Sequence, residues 1–156
     1  MRPDEALLSQ VNAWIQIPEN HENMDALVAA LIAWIVARTG LMAPDPPRIV
    51  QIPIERMVEM TGSTARPQAI YVRKERTIYL PTDWTGDTLL NRAALLHELV
   101  HHLQETNGVQ APCERAQEAD AYHLELDWLR ERGVDDPYEF LGINELAIML
   151  RSTCLD

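Results

Sequence analysis

The sequence is poor in cysteine, in cations and in long apolar runs, and each shortage excludes something. Two cysteines, Cys113 and Cys154, in 156 residues are too few for a disulfide scaffold, although an even pair fits either one bridge or two inert thiols. The longest apolar run, residues 26–37 (ALVAALIAWIVA), has twelve residues. A bilayer span needs about 20, so the run reads as a buried helix and membrane insertion is not expected. The chain opens MRPDEALLSQ, with no basic start followed by an apolar stretch, so no signal peptide is read. As it stands this points to the cytoplasm; an exported or periplasmic setting follows only if a leader has been trimmed. Lys and Arg number 13 against 24 Asp and Glu, a formal charge of −11. That surface repels phosphate backbones and anionic lipid, so nucleic-acid binding is not expected, and a basic or neutral peptide suits it better than an acidic one. A Gly-rich phosphate loop, a CxxC pair and a nucleophile elbow are all missing.

The composition that is present, 47% apolar with 6 Gly and 10 Pro, is that of one packed domain spanning residues 1–156. Residues 5–17 carry Leu7, Leu8, Val11, Trp14 and Ile15 at helical spacing and predict an amphipathic helix closed by Pro18. Asn23 can cap the apolar helix that follows, which ends at Thr39-Gly40 and, being apolar nearly all round, is expected at the centre of the core. RIVQI at 48–52 reads as a strand, and 54–60 as a short helix ended by Gly62. The β-branched and aromatic runs 68–73 and 77–80, separated by Lys74-Glu75-Arg76, predict an antiparallel hairpin stopped by Pro81. A long helix with an apolar stripe is expected from an Asp87 cap to about Thr106, a second from Pro112 to about Arg132, and a short closing helix over 144–151. Trp14, Trp34, Trp84 and Trp128, with Met24, Met57, Met60 and Met149, read as packing residues.

The chemistry sits on the long helix, where HELVHHLQ places His97, Glu98 and His101 as H-E-x-x-H. On an α-helix positions i and i+4 share a face, so both imidazoles can converge on one cation, and the Glu beside the first histidine can reach a water on that cation. A divalent metal lowers the pKa of that water, and Glu98 can take its proton and later pass it to a leaving group. Imidazole ligands fit zinc best, one ion per chain. A shuffled chain of this composition contains roughly 0.014 copies of the pattern. His102 points one position round the helix and reads as a surface residue or one that supports the ligands.

A catalytic zinc takes a third protein ligand. The remaining histidines are His21, in a polar linker, and His123, on the next helix facing away. On that helix a 100° wheel groups Glu114, Glu118 and Glu125 with Ala121, Tyr122 and Leu129, while Asp120, Asp127 and Glu131 fall elsewhere. An inward carboxylate needs a partner, which makes Glu118 the first choice and Glu114 the second. Tyr122, one turn after Glu118, is the nearest candidate for a transition-state donor, and equally a core tyrosine.

HExxH on one helix and a Glu about twenty residues later within E-A-D-A-Y resembles the gluzincin metallopeptidases, particularly their smallest members. RTIYLP, LLHELVHHLQ, CERAQEADAY, Trp128-Leu129 and Thr153-Cys154 resemble, more closely, an uncharacterised zincin-like family of small bacterial proteins. The likeness covers most of the chain after Leu31 and is specific between Arg76 and Leu129. It implies an α+β zincin-like fold: N-terminal helices, a small mostly antiparallel sheet, and an HExxH helix followed by a Glu-bearing helix. It implies His97, His101 and Glu118 as ligands, Glu98 as general base, a Cys113–Cys154 bridge in an oxidising setting, and strand 77–80 as the edge along which a peptide substrate adds itself.

The expected function is therefore a zinc metallopeptidase in which a zinc-activated water attacks a peptide carbonyl with Glu98 as base. The alternatives are a hydrolase of non-peptide amides and a non-catalytic zinc-binding interaction or regulatory domain. A groove open beside the metal favours an enzyme; a fourth protein ligand or a filled groove favours the structural role.

Overall fold

The computed structural model describes residues 21–63 and 65–155; the expected helix over 5–17, with Trp14, lies outside them. The elements run α1 (His21–Thr39), β1 (Arg48–Ile52), α2 (Ile54–Thr61), β2 (Ile70–Val72), β3 (Thr77–Pro81), α3 (Leu89–Thr106), α4 (Glu118–Glu131), α5 (Pro137–Leu141) and α6 (Glu145–Ser152). Two 3₁₀ turns, Arg73–Glu75 and Glu114–Gln117, precede β3 and α4. The architecture is α+β, six helices and one three-stranded sheet among the described residues.

The sheet is mixed, which corrects the expectation of a mostly antiparallel one. Its order is β1-β3-β2, with β1 parallel to β3 and β2 antiparallel to it. The hairpin forms as expected. Its turn closes at Arg76, whose φ of 48° is left-handed and whose carbonyl accepts from the Arg48 amide, drawing β1 alongside. β3 is therefore the central strand and not the edge, and among the described residues the open edge of the hairpin is β2.

The centre of the molecule is α3. It packs on α1, α4 and β2 and buries residues on nearly every side, from Ala93, Leu96, Val100 and Leu103 to His97, His101 and His102. Thr88, and not Asp87, caps it, accepting from the Asn91 amide, which satisfies one of the four free amides of a helix start. α1 is a flank. It buries Leu27, Val28, Leu31, Ile32 and Ile35 against the core, while Ala26, Ala29, Ala33 and Ala37 lie exposed. Alanine reads as apolar yet loses little by facing water, so the run looked apolar all round without being enclosed. His21, two residues before Asn23, is already helical, so Asn23 lies within the helix and not at its cap.

Trp84, Trp128 and Met57 are core residues and Met24 and Trp34 pack against the core, but Met60 and Met149 are exposed. α5, capped by Asp136 with Pro137 in its first turn, has no counterpart in the sequence reading; five residues are too few for a periodic signal. Asn144 caps α6. Cys113 and Cys154 are bonded, with Cα atoms 5.9 Å apart, which ties the entry to α4 to the end of α6. Among the described residues no helix is long and apolar enough to cross a membrane.

Candidate metal centre

His97 and His101 lie one turn apart on α3, both buried, with ring centroids 5.0 Å apart. Each ring is held from behind by an acceptor. His97 Nδ1 is 2.9 Å from Glu125 Oε1 on α4, and His101 Nδ1 is 2.8 Å from Gln104 Oε1, one turn along α3. The Gln104 amide nitrogen donates to the Gln117 carbonyl at 3.2 Å, so its oxygen faces His101. With acceptors behind them both Nδ1 atoms carry protons, and both Nε2 atoms point forward to one spot.

Glu118 occupies that spot. Its Oε2 lies 3.2 Å from His97 Nε2, and its Oε1 is paired with His101 Nε2. The three ligand atoms lie within 4.8 Å of one another. Two imidazole lone pairs facing a carboxylate are acceptors facing an acceptor, and only a cation or added protons relieve that arrangement. The donor set fits a divalent metal: two imidazoles with supported Nδ1 atoms and one carboxylate. The group can hold a metal ion.

The electrostatics follow from the crowding. Burial alone would lower the His97 pKa, but hydrogen bonds to Glu118 and Glu125 outweigh it and hold the imidazole well above its usual range. Burial would raise Glu118, yet His101 and His97 pull it well below the usual carboxylate range. Glu98, beside His97, is pushed up by burial, partly offset by the two histidines. A carboxyl raised in this way is a better proton acceptor than an exposed one.

Glu98 and Glu118 face two openings. One, of about 610 Å³, also touches His101, Ile70 and Tyr71; the other, of about 260 Å³, also touches His97, Tyr122 and Glu125. Ala69, just before β2, borders both. The cleft therefore runs past the ligand group beside the open edge of the sheet.

The structure brings together His97, Glu98, His101 and Glu118, and decides between the two candidate third ligands. Glu114 sits in the 3₁₀ turn with its side chain 82% exposed, 3.8 Å from Arg73, and is not in the ligand group. Tyr122 packs edge-on to His97, centroids 4.5 Å apart, and its hydroxyl accepts from Arg151 at 2.8 Å. His102 is buried and turned away from the site. Its Nε2 donates to the Asp45 carbonyl and its Nδ1 accepts from the Tyr71 hydroxyl, both at 2.8 Å, so it fastens α3 to β2 and to the loop before β1. His123 is exposed and pairs with Glu145 at 3.0 Å; His21 begins α1. The sequence pattern by itself assigns no role to Glu125, Gln104 or Gln117. Glu125 carried a usable signal, since seven residues after Glu118 brings a helix back to the same face.

Comparison with curated proteins and with solved structures finds no match. Residues 20–156 match the model of a family described as Domain of unknown function (DUF6647), and the chain belongs to that family.

Proposed function

We propose that the protein is a zinc-dependent peptide hydrolase of gluzincin type with a zincin-like fold. The observation that carries this reading is the convergence of two Nδ1-supported imidazoles on Glu118 with Glu98 alongside, at the floor of an open cleft. When bound, zinc supplies a water of lowered pKa and polarises a carbonyl. Glu98 accepts a proton from the attacking water and returns it to the departing amine. Glu125 and Gln104 orient the two ligand imidazoles. The Tyr122 hydroxyl accepts from Arg151, which leaves its own proton to donate to the oxyanion that develops on the carbonyl. An extended peptide lies along the open edge of β2, in place of the strand 77–80 expected from sequence, and pairs with it as a further strand. The Cys113–Cys154 bridge supports an oxidising compartment. The non-catalytic alternative calls for a filled groove; the openings beside Glu98 favour hydrolysis.

Elemental analysis and peptide cleavage test the reading together. The parent should hold one zinc per chain, and His97→Ala and Glu118→Ala should lose it. Glu98→Gln should keep the metal and lose cleavage by about 10²- to 10⁴-fold. Cleavage by Glu98→Gln at the parent rate would remove Glu98 as base.

A further inference from the structure

In a chain of formal charge −11 the larger opening is balanced, with three arginines against three glutamates in its lining. Three of the 13 cationic side chains, Arg73, Arg115 and Arg151, border it together with Glu98, Glu114, Glu118 and His101. Arg151 borders the smaller opening as well. Their present partners differ. Arg73 stands between Glu105 at 3.5 Å and Glu114 at 3.8 Å. Arg115 donates through Nε and Nη2 to the Thr153 and Leu150 carbonyls, both at 3.0 Å, so its place is fixed by the end of α6. Arg151 donates to the neutral Tyr122 hydroxyl and lies over that ring, 5.6 Å from its centroid. No carboxylate of the described residues pairs with it. The disulfide holds this wall together, because Arg115 follows Cys113 by two positions and Arg151 precedes Cys154 by three.

A guanidinium next to a peptide cleft, positioned by neutral groups, suits a carboxylate from a ligand. We infer that this wall, with Arg151 foremost, selects peptides that carry a carboxylate close to the reacting bond, supplied by the chain terminus or by an Asp or Glu side chain. The inference rests on the hydrolase reading for the nature of the substrate and reverses the preference expected from net charge, because a guanidinium at the cleft with no carboxylate partner among the described residues, and not the distant surface, meets a bound peptide.

Binding by zinc-loaded Glu98→Gln protein tests it without turnover. The probes are fluorescently labelled hexa-alanine as the free acid, as the amide, and as the amide with a central Glu or a central Gln. A carboxylate probe should bind about 10-fold or more tightly than its neutral counterpart. Preference for the free acid assigns the terminus; preference for the Glu amide assigns the side chain. Adding Arg151→Gln should erase the difference and Arg151→Lys should restore part of it, which a folding defect would not do. Equal affinity for all four probes, no binding up to millimolar concentration, or a preference that survives Arg151→Gln overturns the inference. Cleavage of neutral amides by the parent as fast as of acids overturns it while leaving the hydrolase reading standing. Selective binding by a parent that cleaves none of the probes rejects hydrolysis and keeps the carboxylate wall.

Discussion

Along the seam between α3 and α4, His97, His101, Glu125, Gln104 and Gln117 are buried and each is hydrogen-bonded to a neighbour. On the facing rim Arg73, Glu114, Arg115 and Arg151 stand on 3₁₀ turns and near the end of a short helix, with Arg73 half-buried and the other three exposed. The seam gains its order from packing and from paired acceptors, as a metal centre requires. The rim cannot be ordered that way, since α6 buries only Ile148 and leaves Leu146, Met149 and Leu150 more than half exposed. A covalent tie and the Arg115 hydrogen bonds to the Leu150 and Thr153 carbonyls, at the end of α6 and just past it, take the place of packing there. The groups proposed to react thus sit on long helices and those proposed to select on short elements.

The largest test of this contrast removes the tie. The bridge closes a loop of sequence separation 41, so Cys113→Ser with Cys154→Ser should cost about 4 kcal/mol on the loop-entropy scale. Thermal unfolding should show it, while zinc stoichiometry, a property of the seam, stays at one. Loss of zinc in the double variant would mean that seam and rim are a single unit.

Next in size is the support behind the ligands. Glu125→Gln keeps an acceptor for His97 but removes the charge, and should weaken zinc affinity about 10- to 100-fold in a chelator competition assay. A variant that binds zinc as the parent does would reduce Glu125 to a packing residue.

Protons compete with the metal for the same imidazoles, so affinity should fall as pH drops. Glu118 and Glu125 raise the His97 pKa, and a raised pKa means the proton is held to higher pH. The fall should therefore begin above the ordinary imidazole value of about 6.5. Zinc titrations between about pH 5.5 and 8.5 check this; affinity independent of pH across that range would place the metal elsewhere.

The smallest effect belongs to the apolar face of α6. Met149, 57% exposed, should tolerate Met149→Ser within about 0.5 kcal/mol by denaturant unfolding. A larger loss would show that the face is covered.

His97, Glu98 and His101 were legible from sequence because the i, i+4 relation is intrinsic to the helix and needs nothing from the rest of the chain. The helices around them, the hairpin and β1 were legible for the same reason. Periodicity and caps are local. Sequence ranks Glu118 ahead of Glu114, as the structure has it, but cannot exclude Glu114, since a wheel takes the helix as continuous, whereas Glu114 lies in a 3₁₀ turn that advances about 120° per residue and carries it out of phase. Strand order was also beyond local reading. β1 joins β3 across a connection that includes α2, and pairing of that kind depends on contacts far apart in sequence. By itself the sequence determined which chemistry the chain can carry: a pair of imidazoles, a neighbouring base and an acidic chain around them. Only the tertiary structure excluded Glu114 from the group, showed which strand edge lies open beside it, and brought Arg73, Arg115 and Arg151 to one wall. Those three facts join residues separated by tens of positions, and packing, not periodicity, brings such residues together.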